Sequence, residues 1–127
     1  MEGASIPELF KDPKTLGSLP GADVTGRAGM QGEGPFLHMH LKFAGGRIES
    51  ARFETYGCPV AIACGSWVTQ WVAGRTPEQA ALLEAGDLIT LLGGVPLGKE
   101  HCADLAVKAL RDGLRQERQA QMEGAST

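Results

Sequence analysis

The sequence predicts an α+β fold, in which a small antiparallel β-sheet has helices packed on one of its faces. Residues 36–55 alternate between apolar and polar side chains, which is the period of β-strands. From residue 60 onwards the apolar side chains recur at helical spacing instead. Strands that come first and helices that come after indicate an α+β sandwich rather than alternating βαβ units. At 127 residues, the whole chain (1–127) is expected to form one domain with a substantial core.

The first part of the chain is predicted to be mostly loop. Residues 1–11 could hold a short helix, because Ser5 is a good N-cap residue and Pro7 suits the first helical turn. Residues 12–34 are rich in glycine, which favours loop, with one short strand near residues 23–26.

Two strands joined by a tight turn form the predicted centre of the sheet. In the first, residues 36–43, the apolar side chains occupy one face. His38 and His40 lie on the other face, where we expect them to be solvated rather than to bind a metal. Residues 44–46 turn the chain, and residues 47–55 return as the second strand.

An almost wholly apolar helix is predicted next. Pro59 suits its first position, because the missing N–H of proline would be unpaired there in any residue. The helix is expected to run through residues 60–73 and to end at Gly74, a typical C′ residue. Cys64 shares one helical stripe with Trp67, which predicts a core residue rather than a ligand.

The remaining elements are predicted to be helical. Thr76 begins a capping box, and Asp87 is the expected N-cap of a short helix that ends at Leu92. A long helix is expected over residues 103–119, followed by a disordered tail, residues 120–127.

Composition and charge exclude several functions. The net charge of −3 provides no basic field for nucleic acid or an anionic membrane. No apolar run is long enough for a transmembrane helix, and the first residues lack the pattern of a secretory signal. Three cysteines are an odd number and too few for a disulfide framework, which favours a reducing compartment. We therefore expect a cytoplasmic protein.

The remaining thiols lie at the predicted starts of two helices. Cys58 precedes the apolar helix, and the pair His101-Cys102 precedes the last helix. Helix dipoles and free N–H groups favour thiolate there, so the two positions could form a soft-metal site for zinc or an iron–sulfur cluster if the fold brings them together. The alternative is that each cysteine is a small core residue.

Three separate segments carry a resemblance to a known family. They read DPKTLG (residues 12–17), ARFETYGCPVAIACGSWVTQWVAGRTPEQA (residues 51–80) and VPLGKEHCADLAVKALRDGL (residues 95–114). In this order they resemble the NifU/IscU-type iron–sulfur cluster scaffold proteins, over about residues 8–116. The resemblance implies an α+β fold with a site at one end, formed by three cysteines and a histidine.

The resemblance also implies cargo, partners and site residues. Family members assemble a cluster from iron and from sulfur that a cysteine desulfurase delivers, and pass it to recipient apo-proteins; many also hold zinc. Cys58 and Cys102 match two of the family cysteines, with His101 as the neighbouring histidine and Cys102 as a possible sulfur acceptor. Lys99 matches the lysine of the chaperone-contact loop, although that loop reads VPLGK here rather than LPPVK. The implied function is that of a scaffold or carrier, not an enzyme.

The main departure from the family is the first cysteine. Where relatives read ACGD, this chain has Glu33 at the cysteine position and Pro35 at the aspartate position. The resulting set, Cys58, His101, Cys102 and Glu33, would suit zinc. It could also hold a [2Fe–2S] cluster, more labile because a carboxylate replaces a thiolate. A homo-oligomer could complete the ligand shell from a second chain.

Three hypotheses therefore remain open from the sequence. The first is a scaffold or carrier for a labile cluster that accepts sulfur at Cys102. The second is a degenerate family member, a zinc-binding or protein-interaction module that no longer assembles clusters. The third is a thiol enzyme with Cys58 or Cys102 as nucleophile, which ranks last because neighbouring helix residues such as His101 and Cys102 point about 100° apart.

Overall fold

A three-stranded antiparallel sheet forms one layer of the molecule. The computed structural model describes residue 9 and residues 14–29, 34–56 and 59–125, with side chains to residue 120. Within these ranges the strands are β1 (Val24–Gly29), β2 (Phe36–Ala44) and β3 (Arg47–Tyr56), in the order β1-β2-β3. The α+β architecture predicted from the sequence is confirmed.

Four helices of the described ranges form the second layer. They are α1 (Pro59–Val72), α2 (Pro77–Ala80), α3 (Ala85–Leu91) and α4 (Glu100–Ala125). The capping box predicted at Thr76 is present, with its hydroxyl accepting from the Gln79 N–H at 3.2 Å. Gly74 has a φ of 88°, as expected of a C′ glycine. None of the helices that the structure describes is long and apolar enough to cross a membrane.

The core lies between the helices and one face of the sheet. Leu37, Met39 and Leu41 on β2 are fully buried, in agreement with the predicted alternation. Two glycines allow the helices to approach the sheet closely. A Cβ on Gly65 of α1 would lie 2.5 Å from the Phe53 ring, and one on Gly26 of β1 would clash with backbone of α4.

Residues 15–17 add a short edge to the sheet beside β3. The Phe53 N–H donates to the Thr15 carbonyl at 2.9 Å, and the Gly17 N–H donates to the Phe53 carbonyl at 2.8 Å. The Thr15 and Thr69 hydroxyls are hydrogen-bonded at 2.6 Å, which ties this segment to α1. The end of the DPKTLG motif is therefore a structural part of the sheet.

Some predicted boundaries differ from the structure. The strand expected near residues 23–26 runs to Gly29, because Asp112 and Gln116 of α4 hydrogen-bond its backbone. The cap of α3 is Glu84, with Asp87 as its capping-box partner. The N-terminal helix expected over residues 1–11 lies outside the described residues, apart from Leu9, which is helical and buried.

The last helix is longer than predicted at both ends. It begins at Glu100 rather than residue 103, and it continues to Ala125 rather than residue 119. Most of the tail expected to be disordered, residues 120–127, is thus helical. Its sequence AQMEGA lacks an apolar stripe, but most of these residue types have high helix propensity, which extends the helix.

Candidate functional site

One end of the sheet collects the chain segments that carry the predicted ligands. Gly29, Phe36 and Tyr56 pair in a single row across the three strands, and we call this row the site end. Glu33 falls in sequence between the first two of these residues, and Cys58 follows the third by two positions. Glu33 and Cys58 themselves lie outside the described residues.

Both long helices run away from the site end. The Gly74 N–H, just after α1, donates to the Ile48 carbonyl at 2.7 Å, so α1 finishes beside the beginning of β3. On β1, Thr25 contacts Gln116 whereas Arg27, nearer the site end, contacts Asp112. Residues closer to the site end therefore meet α4 closer to its N-terminus. The two helix N-termini point towards the same end, as the soft-metal hypothesis requires.

His101 and Cys102 occupy the first turn of α4. The Cys102 N–H donates to the Lys99 carbonyl at 3.0 Å, which sets the start of the helix. The His101 Nε2 lies 3.6 Å from the Cys102 Sγ, within the range of a sulfur hydrogen bond. The expectation that these neighbours diverge is therefore wrong, because the long histidine side chain reaches back to the adjacent thiol.

Exposure separates the two members of this pair. His101 is exposed, whereas Cys102 is only 2% exposed. A sulfur acceptor or a nucleophile must be reached by its reaction partner. The structure thus brings imidazole and thiol together but covers the thiol, so Cys102 is not an accessible nucleophile in this conformation. The other nucleophile of the thiol-enzyme hypothesis, Cys58, lies outside the described residues.

The described residues contain only part of the predicted ligand set. Among them no group of three or more histidine, cysteine, aspartate and glutamate side chains is arranged to hold a metal ion. His101 and Cys102 supply one imidazole nitrogen and one sulfur, the donor types that zinc and iron–sulfur clusters accept.

The loop before α4 presents an apolar side chain to solvent. The Lys99 N–H donates to the Pro96 carbonyl at 3.0 Å, which closes a tight turn. Leu97 at its tip is 97% exposed, and Gly98 adopts a φ of 87°. The segment VPLGK, matched above to a chaperone-contact loop, therefore forms a turn next to His101.

Cys64 is a core residue, as predicted. Its side chain is fully buried, as is that of Trp67, which stacks on Trp71 with a centroid distance of 5.8 Å. Cys64 belongs to the helix–sheet interface and not to the site.

The two strand histidines are less solvated than predicted. The His40 side chain is 13% exposed; its Nδ1 is hydrogen-bonded to the Thr25 hydroxyl at 2.9 Å and its Nε2 to a Glu54 carboxylate oxygen at 2.8 Å. Partial burial lowers the pKa of His38, and the charges of Arg27 and His40 lower it further, against an opposing effect of Glu54. Thr25 and Glu54 are the hydrogen-bond partners of His40 because of the strand register, which the sequence pattern does not specify.

Comparison with known proteins agrees with this arrangement. Residues 1–123 match the family model described as the NifU-like N terminal domain. The iron-sulfur cluster assembly scaffold protein IscU 1 of Archaeoglobus fulgidus is 36% identical over 102 residues, which cover 80% of this chain and 67% of that protein. IscU of Azotobacter vinelandii, also called an iron-sulfur cluster assembly scaffold protein, is 34% identical over 110 residues, covering 84% and 85%.

Solved structures share the fold. A crystal structure described as a putative iron-sulfur cluster assembly scaffold protein for the SUF system, from Fervidobacterium islandicum AW-1, superposes with a TM-score of 0.68 at 21% identity. The match covers 86% of this chain and 93% of that one. The family model, the two scaffold relatives and the shared α+β architecture lead to one conclusion: the chain belongs to the NifU-like N-terminal domain family.

Proposed function

We propose that the protein is a scaffold or carrier that receives iron and sulfur, holds an iron–sulfur cluster and passes it to recipient apo-proteins. The observation that carries this proposal is the contact between His101 and Cys102 at the N-terminus of α4. The N-terminus of α1 points towards the same end of the molecule. Relatives that bear the name of cluster assembly scaffolds cover most of the chain. The protein acts as a platform rather than as a catalyst.

Four residues form the proposed ligand set for the cargo. Cys58 and Cys102 provide thiolates, His101 provides an imidazole, and Glu33 provides a carboxylate in place of the family's first cysteine. Iron–sulfur clusters are usually held by four cysteine thiolates. A [2Fe–2S] cluster with this mixed set should therefore be released more easily, which suits transfer.

Sulfur reaches the site through Cys102. A cysteine desulfurase, the proposed donor, carries a persulfide; the Cys102 thiolate attacks its outer sulfur, the S–S bond of the donor breaks and the donor thiolate leaves. Because Cys102 is 2% exposed, this step requires the residues that cover its thiol to move aside.

The remaining partners are proposed on the same grounds. Recipient apo-proteins accept the cluster, and the protein works in the cytoplasm. A chaperone could contact the turn at Lys99, with Leu97 as the apolar contact in place of the family's LPPVK sequence.

Anaerobic reconstitution tests the function. Incubation with ferrous iron, L-cysteine and a cysteine desulfurase should produce visible absorption of a cluster in the wild-type protein, and Cys102→Ser should abolish it. Cys64→Ser is the matched control, because it removes a core thiol that is not one of the proposed ligands. Absence of a chromophore in the wild-type protein would contradict the proposal.

A second candidate function is a zinc-binding or protein-interaction module. It is favoured by the covered thiol of Cys102 and by Glu33 in place of a cysteine. A Glu33→Cys variant separates the two cases: it should raise cluster yield if Glu33 is an altered ligand of a working scaffold. If the protein is a zinc module, zinc should remain bound in both forms and no cluster should accumulate in the wild-type protein.

A further inference from the structure

A large cleft lies at the end of the molecule opposite the site end. Three elements form its walls, namely the turn between β2 and β3, helix α2 and the second half of α4. This turn lies at the other end of the sheet from the row of Gly29, Phe36 and Tyr56. The volume of the cleft is about 1110 Å³. Small-molecule pockets have volumes of about 300–1,000 Å³, so this cleft has room for a peptide segment.

Hydrogen bonds hold the walls of the cleft to the rest of the fold. The Arg111 guanidinium of α4 donates to the Leu83 carbonyl at 2.9 Å, which ties α4 to the loop between α2 and α3. At the start of β3, the Ile48 N–H donates to the Arg75 carbonyl at 2.8 Å, which ties the strand to the segment before α2. The cleft is therefore formed before any ligand binds, which lowers the entropic cost of binding.

Arginines of α4 provide a cationic wall. Arg111, Arg115 and Arg118 line the cleft and are spaced by four and three residues, so they share one face of the helix. Arg115 is paired with the Asp112 carboxylate. Among the described residues, by contrast, neither Arg111 nor Arg118 has a carboxylate within 4.0 Å. These two guanidiniums are the cations that a ligand could neutralise.

The rest of the lining is apolar apart from two carboxylates. Phe43 is partly buried and Leu114 is 8% exposed, and both contribute apolar surface to the cleft. Glu78 and Glu117 also line it, so guanidiniums outnumber carboxylates three to two, whereas the whole chain has a net charge of −3. The cleft thus combines apolar surface with cationic groups on a protein that is acidic overall.

We propose that this cleft binds an acidic segment of a partner protein, with carboxylates against Arg111 and Arg118 and an apolar side chain against Phe43 and Leu114. Guanidiniums bind carboxylates through paired N–H donors, and Arg111 keeps donors to spare beside its bond to the Leu83 carbonyl. An apolar anchor beside such charges is the usual composition of a protein docking site. A nucleic acid fits less well, because the net charge of −3 opposes so dense a polyanion.

The position of the cleft gives the binding a consequence. A partner bound there leaves the site end open to other proteins, so this partner can stay attached while others bind and leave. The inference does not depend on the proposed function, since the side chains that carry it are not the proposed ligands. Loss of one therefore leaves the other standing.

An NMR titration tests the inference with synthetic peptides. The probe is an octapeptide with glutamates on both sides of a central leucine–phenylalanine pair, added to the isotope-labelled protein. It should shift the amide signals of the β2–β3 turn and of residues 111–118, and it should leave those of residues 100–104 unchanged. A peptide with glutamine in place of every glutamate, and one with serines in place of the central pair, should each bind more weakly.

A charge-reversed variant and a matched control complete the test. Arg118→Glu should weaken binding of the acidic peptide about fivefold or more, because one exposed ion pair changes from attractive to repulsive. Lys108→Glu makes the same change of charge at an exposed position of α4 that does not line the cleft, and it should bind like the wild type. Circular dichroism should show both variants folded.

Several results would overturn the inference. One is the absence of shifts in the cleft at about 1 mM acidic peptide, the range of very weak binding. Equal affinities of the acidic and glutamine peptides, or of the wild type and Arg118→Glu, would exclude recognition by charge. Shifts confined to the site end would place the peptide elsewhere. The same shifts with inorganic phosphate alone would identify a general anion site and not a peptide-binding cleft.

Discussion

At the scale of single residues, packing places strict limits on the helix–sheet interface. Gly65 of α1 lies against the ring of Phe53, which is fully buried and also hydrogen-bonds through its backbone to Thr15 and Gly17. The ring cannot move without disturbing this edge of the sheet. A glycine in the middle of an apolar helix is therefore explained by the neighbour it faces and not by the helix itself.

Gly65→Ala should destabilise the protein by about 1–3 kcal/mol, because the added methyl group overpacks a core that cannot yield. The measurement is the midpoint of urea-induced unfolding. Gly86→Ala is the control: Gly86 lies in α3, and a Cβ there would meet nothing within 4 Å. This second change should instead stabilise the protein by about 0.5–1 kcal/mol through helix propensity. Equal midpoints for the two variants would show that Gly65 has no packing role.

The site residues illustrate what a sequence pattern can and cannot predict. The stripe shared by Cys64 and Trp67 predicts burial correctly, since helical periodicity is a local property. The contact of His101 with Cys102 was not predicted, because it depends on side-chain rotamers. The burial of Cys102 is a property of the tertiary packing, which no local pattern encodes.

At the scale of elements, α4 protects an exposed edge of the sheet. The Asp112 carboxylate accepts a hydrogen bond from the Arg27 N–H at 2.9 Å, and the Gln116 side chain donates to the Thr25 carbonyl at 2.8 Å. Among the described residues, no further strand pairs with these backbone groups of β1. Two side chains of one helix thus satisfy them and discourage edge-to-edge association.

The Asp112 contacts predict a pH-dependent contribution to stability. Desolvation raises the pKa of Asp112, but hydrogen bonds from the Arg27 N–H, Arg115 and Gln116 outweigh it and lower the pKa. The unfolded chain then binds more protons than the folded one, so this contribution is present above the unfolded pKa of about 3.9 and is lost as pH falls through the lower folded pKa.

Asp112→Asn should therefore reduce the free energy of unfolding most at pH 7, by about 1–2 kcal/mol for weakened charged hydrogen bonds. The difference from the wild type should shrink as the pH is lowered to about 3. Urea unfolding at several pH values measures it. Asp104→Asn, an exposed position on the same helix, controls for the loss of one negative charge. A difference for Asp112→Asn that does not change with pH would contradict the assignment.

The elements were predicted with unequal success for physical reasons. Strands β2 and β3 and helix α1 have strong periodicity and clear turn residues, so their bounds are close to those expected. The full length of β1 depends on hydrogen bonds from α4 that span 85 and 91 residues of sequence. The C-terminal extension of α4 has no apolar periodicity and was recognisable only by helix propensity.

At the scale of the whole molecule, the chain topology makes the two ends of the sheet different. Strands β1 and β3 end, and β2 begins, at the end of the molecule where the predicted ligands fall in sequence. The N-termini of α1 and α4 point towards this same end. The stacked rings of Phe36 and Tyr56 lie at this end, on the sheet face opposite helices α1 and α4, and the Leu97 turn directly precedes α4. The predicted ligands and the turn at Lys99 are therefore associated with one end of the molecule.

This arrangement gives the helix dipoles a role. The N-termini of α1 and α4 direct partial positive charge towards a common region, and such charge favours the thiolate form of a nearby cysteine. The fold could be expected from the order of strands and helices. The sequence alone could not predict that the two N-termini point towards the same end, because this depends on the direction in which each helix crosses the sheet.

The metal and acid-labile sulfide content of the protein, isolated without oxygen, tests the central claim most directly. If the protein carries an iron–sulfur cluster, iron and sulfide should be present in about equal amounts, and both should be lost in Cys102→Ser while Cys64→Ser retains them. Stoichiometric zinc without iron or sulfide would contradict the claim and identify the protein as a zinc-binding member of its family.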